Sequence, residues 1–102
     1  EAAERDINEA WCSLNNGIAE FRTKDGTYVD CLTDEHAIEV EFDYNWKEAI
    51  GQSLHYAETT QKKPAILFIQ RQQSNKDYLN ELQRTILKFE LPIKVFIAPA
   101  KK

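Results

Sequence analysis

The sequence predicts an α/β domain in which a mixed central sheet carries helices on its faces, with the element order α-β-β-β-α-β-α-β. Two observations carry this prediction. An Asp25-Gly26 pair between two alternating segments indicates a hairpin, and therefore two antiparallel strands early in the chain. Residues 36–98 then read strand-helix-strand-helix-strand, which implies right-handed crossovers and parallel neighbours. With 102 residues, the chain is expected to form a single domain over residues 1–102.

Apolar stripes at three- and four-residue spacing predict three helices. The first is expected over residues 2–14, the second after Asn45, and the third roughly over residues 76–89. Asn45 and Glu48 form a capping-box-like pattern at the start of the second helix. Ser74 is the expected cap of the third.

Five strands are expected between and after these helices, because alternating apolar residues are bounded there by turn residues. The segment from Ala65 to Gln70 differs in being apolar without interruption, which is typical of a strand buried on both faces. The expected strands are residues 17–23, 27–32, 36–42, 65–70 and 93–98.

The two halves of the chain carry opposite net charge. Residues 1–51 hold 13 acids and 4 bases, whereas residues 52–102 hold 4 acids and 9 bases. The acidic total of −4 argues against a protein that coats nucleic acid through charge alone. The asymmetry fits a carboxylate-rich site opposite a phosphate-tolerant surface, with ordinary solvated faces as the simpler interpretation. No apolar run approaches the ~20 residues of a membrane-spanning helix, so no membrane role is expected.

The first residue and the two cysteines leave the cellular compartment open. The sequence begins at Glu1 without Met, as expected after removal of a signal peptide or after a truncation. Cys31 is expected to point to the sheet face opposite Asp30, where the first helix, with Cys12, is expected to lie. A disulfide between the two cysteines would close a loop of about 20 residues. Two buried free thiols are the alternative, and the favoured one.

Three carboxylates lie on two neighbouring strands. Asp30 lies within the second expected strand and Glu39 within the third, and the short connection between the strands can place the two side by side. Glu41, two residues further, shares the face of Glu39. Crowded carboxylates repel one another unless a cation intervenes, and magnesium takes oxygen ligands from only one or two carboxylates. Periodicity alone favours a different interpretation, an ordinary strand with its acids facing solvent.

A polar ridge follows on the second helix. Glu48, Gln52 and Tyr56 recur at four-residue steps beside the apolar stripe, so the ridge is expected to face the adjoining strand. Gln52 and Tyr56 would then reach a phosphate or a water next to the carboxylates. The alternative is a surface glutamine and a tyrosine packed at the helix edge.

These residues together resemble the PD-(D/E)xK nuclease superfamily, whose core is the restriction-endonuclease-like fold. The resemblance covers nearly the whole chain, and it is strongest to small stand-alone bacterial members with a Gln-x-x-x-Tyr helix. The residues that carry it are Asp30, Glu39-Val40-Glu41 and Gln52-Ser-Leu-His-Tyr56.

The resemblance implies metal-dependent hydrolysis of phosphodiester bonds in nucleic acid, with DNA favoured over RNA. It assigns Asp30 and Glu39, helped by the Val40 carbonyl, to Mg²⁺ or Mn²⁺. Gln52 and Tyr56 would orient substrate or water. It also implies a bacterial protein, either cytoplasmic or exported, and leaves a homodimer open.

Glu41 is the departure from the motif, because the third catalytic position is a lysine in this superfamily. Lys47 is the only lysine on the following helix, and it lies about 140° around the helix from Gln52. Asn45 occupies the position that would face correctly. The expected cleavage is therefore weak, and the alternative function is a nuclease-like fold that binds or interacts without catalysis.

Overall fold

The computed structural model describes residues 3–71 and 76–100, and it confirms the α/β class and the expected element order. A single-turn 3₁₀ helix, Asp43–Asn45, joins the third strand to the second helix. The helices are α1 (Glu4–Leu14), α2 (Trp46–Thr60) and α3 (Tyr78–Lys88), and the strands are β1 (Ile18–Arg22), β2 (Tyr28–Leu32), β3 (His36–Phe42), β4 (Lys63–Gln70) and β5 (Lys94–Pro99).

The five strands form one sheet in the order β1-β2-β3-β4-β5. The pairs β1–β2 and β2–β3 are antiparallel, whereas β3–β4 and β4–β5 are parallel, as the sequence predicted. Because β3, β4 and β5 run in the same direction, their first residues lie at one end of the sheet. His36, Lys63 and Lys94 are those first residues.

Helices cover both faces of the sheet, which explains the uninterrupted apolar run in β4. Ala65, Leu67 and Ile69 pack in the cluster that includes Ile7 and Trp11 of α1. The alternate residues Ile66 and Phe68 pack in the cluster formed by α2 and α3, with Trp46, Ala49 and Leu82. A central parallel strand between two helical layers therefore needs apolar residues at every position.

The helix caps differ from those expected. Asn45 does not cap α2 with its side chain, because its amide donates to Glu41 Oε1 at 3.3 Å, so the predicted capping box is wrong. The expected cap Ser74 lies outside the described residues. Asp77 caps α3 instead, and its carboxylate accepts from the Asn80 backbone amide at 3.1 Å.

A disulfide joins Cys12 of α1 to Cys31 of β2, with a Cα–Cα distance of 5.8 Å. The alternative of two free thiols, which was favoured from the sequence, is therefore wrong. Gly17 packs directly against the bond, since a Cβ atom at this position would lie 2.6 Å from each sulfur. The close approach requires glycine here, and it ties the start of β1 to the α1–β2 junction.

A buried carboxyl pair as the candidate functional site

The candidate site lies where β2 and β3 separate. The two strands pair at Cys31 with Ile38 and at Leu32 with Ala37. Beyond these positions, the Asp30 carboxylate replaces the β2 backbone as the acceptor for β3. Its Oδ2 receives a hydrogen bond from the Val40 backbone amide at 2.8 Å. The side chain of Asp30 thus fills the gap that the separating backbones leave.

Glu39 lies at the centre of the site and is only 2% exposed. Its carboxyl group hydrogen-bonds with Asp30 and with the Tyr56 hydroxyl. The Gln52 amide nitrogen, oriented to satisfy its hydrogen bonds, donates to Glu39 Oε1 at 3.0 Å and also to Oε2. The structure therefore brings Asp30, Glu39, Gln52 and Tyr56 together, although the roles assigned to them remain predictions.

Burial dominates the electrostatics of this site. Desolvation, the hydrogen bond with Asp30 and the neighbouring acids raise the pKa of Glu39 to about 10. Desolvation also raises the pKa of Asp30 and that of the Tyr56 hydroxyl. A buried and a partly buried carboxyl group in contact cannot both ionise readily, so the pair retains a proton at neutral pH.

Glu41 lies next to the pair but makes its hydrogen bonds elsewhere. Its Oε1 accepts from Asn45 Nδ2 at 3.3 Å and from the Phe42 backbone amide at 3.2 Å. Lys47 is exposed, and its Nζ lies over the Trp46 ring at 5.7 Å from the centroid. These contacts leave the position of the motif lysine without a cation, in keeping with the departure seen in the sequence.

Three residues of the site were missed in the sequence. Glu4 and Asn8 of α1 and Glu20 of β1 line a pocket of about 480 Å³ together with Asp30 and Val40. Asn8 is 1% exposed, and its Nδ2 donates to the Asp30 carbonyl at 2.8 Å. Its Oδ1 is buried without a hydrogen-bond partner. Burial, with Glu41 and Asp30 nearby, raises the pKa of Glu4 to about 7.

The carboxyl pair supplies two acidic side chains to a possible cation and no third. Within residues 3–71 and 76–100, no three His, Cys, Asp or Glu side chains come together in an arrangement that could hold a metal ion. The two predicted ligands meet, but a third acidic, His or Cys ligand does not join them.

None of the helices within residues 3–71 and 76–100 is long and apolar enough to cross a membrane.

The chain is similar to three proteins of Acanthamoeba polyphaga mimivirus that are named as KilA-N domain-containing proteins. The first is 35% identical over 80 residues, which are 78% of this chain and 22% of the relative. The second is 31% identical over 93 residues, 91% of this chain and 37% of the relative. The third is 39% identical over 66 residues, 65% of this chain and 18% of the relative. The chain thus spans well under half of each relative's length.

No family model matches the chain, and no solved structure is significantly similar to it. The predicted nuclease function is wrong, because the relatives are named for a KilA-N domain and not for a nuclease. The expectation of a bacterial protein is also wrong, since these relatives are viral. The physical reason for the error is that a pair of acids on adjacent strands is too short a pattern to be specific to nucleases. The same pattern here builds a buried pair that holds a proton, with Glu41 in place of the motif lysine.

Proposed function

We propose that this chain is a nucleic-acid-binding module that acts without catalysis, with DNA as its partner. The observation that carries the proposal is the similarity to three proteins named for a KilA-N domain, because that domain is of a DNA-binding type. The chain spans only part of each relative, so the proposal concerns this stretch and not the activity of the whole relatives.

The distribution of cations supports this proposal. Arg84 and Lys88 lie four residues apart on α3, and both are exposed, as is Lys94 at the start of β5. None of the three forms an ion pair within the part of the chain that the structure describes. Unpaired, exposed cations can neutralise phosphates and release counterions without first breaking a contact inside the protein.

Fluorescence anisotropy with a labelled 20-base-pair DNA duplex, the matching single strand and RNA of the same sequence tests the proposal. We expect DNA binding that weakens steeply with salt and needs no divalent cation. Arg84→Ala and Lys88→Ala should each weaken binding and reduce the salt slope by about 1, because each removes one phosphate contact. Gels of the same mixtures should show intact DNA.

Lys47→Ala is the matched control, since it removes a cation that lies over Trp46 in the acidic half of the chain. It should leave the slope unchanged. Sedimentation of the complex reports whether one protomer or a homodimer binds. Absence of DNA binding at low salt, or tighter binding to RNA, would refute the proposal.

We propose separately that Mg²⁺ or Mn²⁺ binds at Asp30 and Glu39. The donors fit such an ion, because both are carboxylates and because the unpartnered Asn8 Oδ1 lies in the adjoining pocket. Magnesium retains several waters and needs only one or two carboxylates, so a third protein ligand is not required. When bound, the cation would supply the positive charge that holds both carboxylates ionised.

Titration calorimetry with MnCl₂ at pH 8 tests this cation site. We expect a binding heat for the wild type and its loss in Asp30→Asn, which removes a ligand charge but keeps the side-chain shape. Glu9→Gln on the exposed side of α1 is the control and should bind as the wild type does. Equal heats from the wild type and Asp30→Asn would remove the site from consideration.

A further inference from the structure

A second pocket, of about 390 Å³, lies at the end of α1 away from the carboxyl pair. Its aromatic wall is built by Trp11 of α1 and by Phe96 of β5, whose ring centroids are 5.0 Å apart at 53°. The His36 ring meets Phe96 edge-on at 5.7 Å, and burial lowers the pKa of this histidine. The wall is therefore aromatic and, at neutral pH, uncharged.

Among the residues that line this pocket, Lys94 carries a positive charge. Its Nζ lies 5.4 Å from the centroid of the Phe96 ring. Lys94 has no ion pair within the described residues, so its charge is available to a ligand. Asp34 and Glu35 also line the pocket and place carboxylate oxygens beside the aromatic wall. Those of Glu35 lie 3.9 Å from His36 Nδ1 and from Lys63 Nζ.

Trp11 differs from the other tryptophan of the chain in being open to a ligand. Trp46 is 7% exposed, and its Nε1 donates to Glu81 at 3.1 Å. Trp11 is only partly buried, and its indole makes no hydrogen bond among residues 3–71 and 76–100. A partly exposed indole without a polar partner, placed beside a second ring, is a surface on which a flat ring can stack.

We infer that this pocket is a base pocket, which holds one nucleobase of a single-stranded DNA segment. The base stacks on the aromatic wall while Lys94 contacts an adjacent phosphate, the combination by which proteins hold single strands. Asp34 and Glu35 can accept a hydrogen bond from an exocyclic amino group, such as N4 of cytosine. The inference rests on the proposed function and adds to it where a base, rather than the backbone, is bound.

Two oligomers of equal charge separate base stacking from phosphate binding. One is dC₁₂ and the other is a 12-mer with abasic tetrahydrofuran sites at every position. We expect the wild type to bind dC₁₂ about tenfold more tightly than the abasic oligomer, and dC₁₂ to quench tryptophan emission. Trp11→Leu should abolish the tenfold preference, whereas Trp11→Phe should keep most of it, because a ring remains.

Matched variants identify the source of each effect. Trp46→Phe should retain the quenching of tryptophan emission, because Trp11 is then the remaining tryptophan. Lys94→Gln should weaken binding of both oligomers by a similar factor, and Lys47→Gln should weaken neither. Circular dichroism of every variant checks that it is folded.

The result separates the inference from the proposed function. If the wild type binds both oligomers equally well, or if folded Trp11→Leu keeps the preference, the base pocket is refuted while DNA binding stands. If neither oligomer nor duplex DNA binds, the proposed function is refuted and the base pocket with it.

Discussion

Breaking the disulfide between Cys12 and Cys31 is expected to lower the free energy of unfolding by about 3 kcal/mol. The bond spans a sequence separation of 19 residues and fastens α1 to the sheet beside the candidate site. Its loss frees the unfolded chain and also removes the covalent support against which Gly17 packs. Urea denaturation of the oxidised and reduced wild-type protein measures this difference directly.

Oxidised and reduced wild-type protein have the same sequence and differ only in whether the disulfide bond is present. The double variant Cys12→Ser/Cys31→Ser provides a second measurement, and it should be at least as unstable as the reduced protein because two hydroxyl groups replace buried sulfurs. A difference below about 1 kcal/mol between oxidised and reduced wild type would contradict the expectation.

The sheet and its helices were predictable because their signals are local. Alternation over 36–42, the apolar run of β4 and the Asp25-Gly26 turn each specify an element from neighbouring residues alone. Asn45 shows where this reasoning fails. Its sequence context matches a capping box, but the nearby Glu41 carboxylate accepts its amide instead. A side chain with two possible partners is decided by tertiary geometry, which spacing does not contain.

The site was half predictable for the same reason. Adjacent strands place Asp30 beside Glu39, and four-residue spacing places Gln52 and Tyr56 over them. Glu4 and Asn8 reach the site only because of the way α1 docks on the sheet. Their four-residue spacing with Cys12, beside the apolar stripe of α1, was the one local signal that pointed to the same face.

The function was not predictable from the carboxylates, because their charge state depends on burial. The same two acids can be ionised metal ligands in a wet cleft or a proton-sharing pair in a dry one. Glu39 is almost completely buried here and is surrounded by donors and acids of the fold itself. The motif therefore specifies a place in the sheet, whereas the chemistry at that place depends on the packing around it.

Glu39→Gln is expected to make the protein more stable than the wild type at pH 9, in buffer that contains a chelator. The pKa of Glu39 is raised from 4.5 to about 10, so the folded protein holds a proton that the unfolded chain releases above its ordinary pKa. The contribution of this proton to the stability of the wild type should therefore be greatest at low pH, and it should fall as pH rises from about 4.5 towards 10. The slope contributed by one such proton is at most about 1.4 kcal/mol per pH unit.

A glutamine at position 39 imitates the protonated acid. Its amide nitrogen can donate to Asp30, and its oxygen can accept from Gln52 and Tyr56, as the neutral carboxyl group does. Because glutamine does not titrate, the variant should match the wild type near pH 5 and exceed it progressively at higher pH. Thermal and urea unfolding between pH 5 and pH 9 measure the two curves.

Glu58→Gln is the control, because Glu58 is exposed on the same helix that carries Gln52 and Tyr56. It removes one carboxylate without changing the buried pair, so its stability should follow the pH curve of the wild type. Both variants remove one carboxylate. The difference in stability between Glu39→Gln and Glu58→Gln therefore reports the effect of burying the carboxylate, without the effect of the change in net charge. If the curves of the wild type and Glu39→Gln run parallel from pH 5 to pH 9, Glu39 is ionised in the folded protein and the proton-sharing pair does not exist.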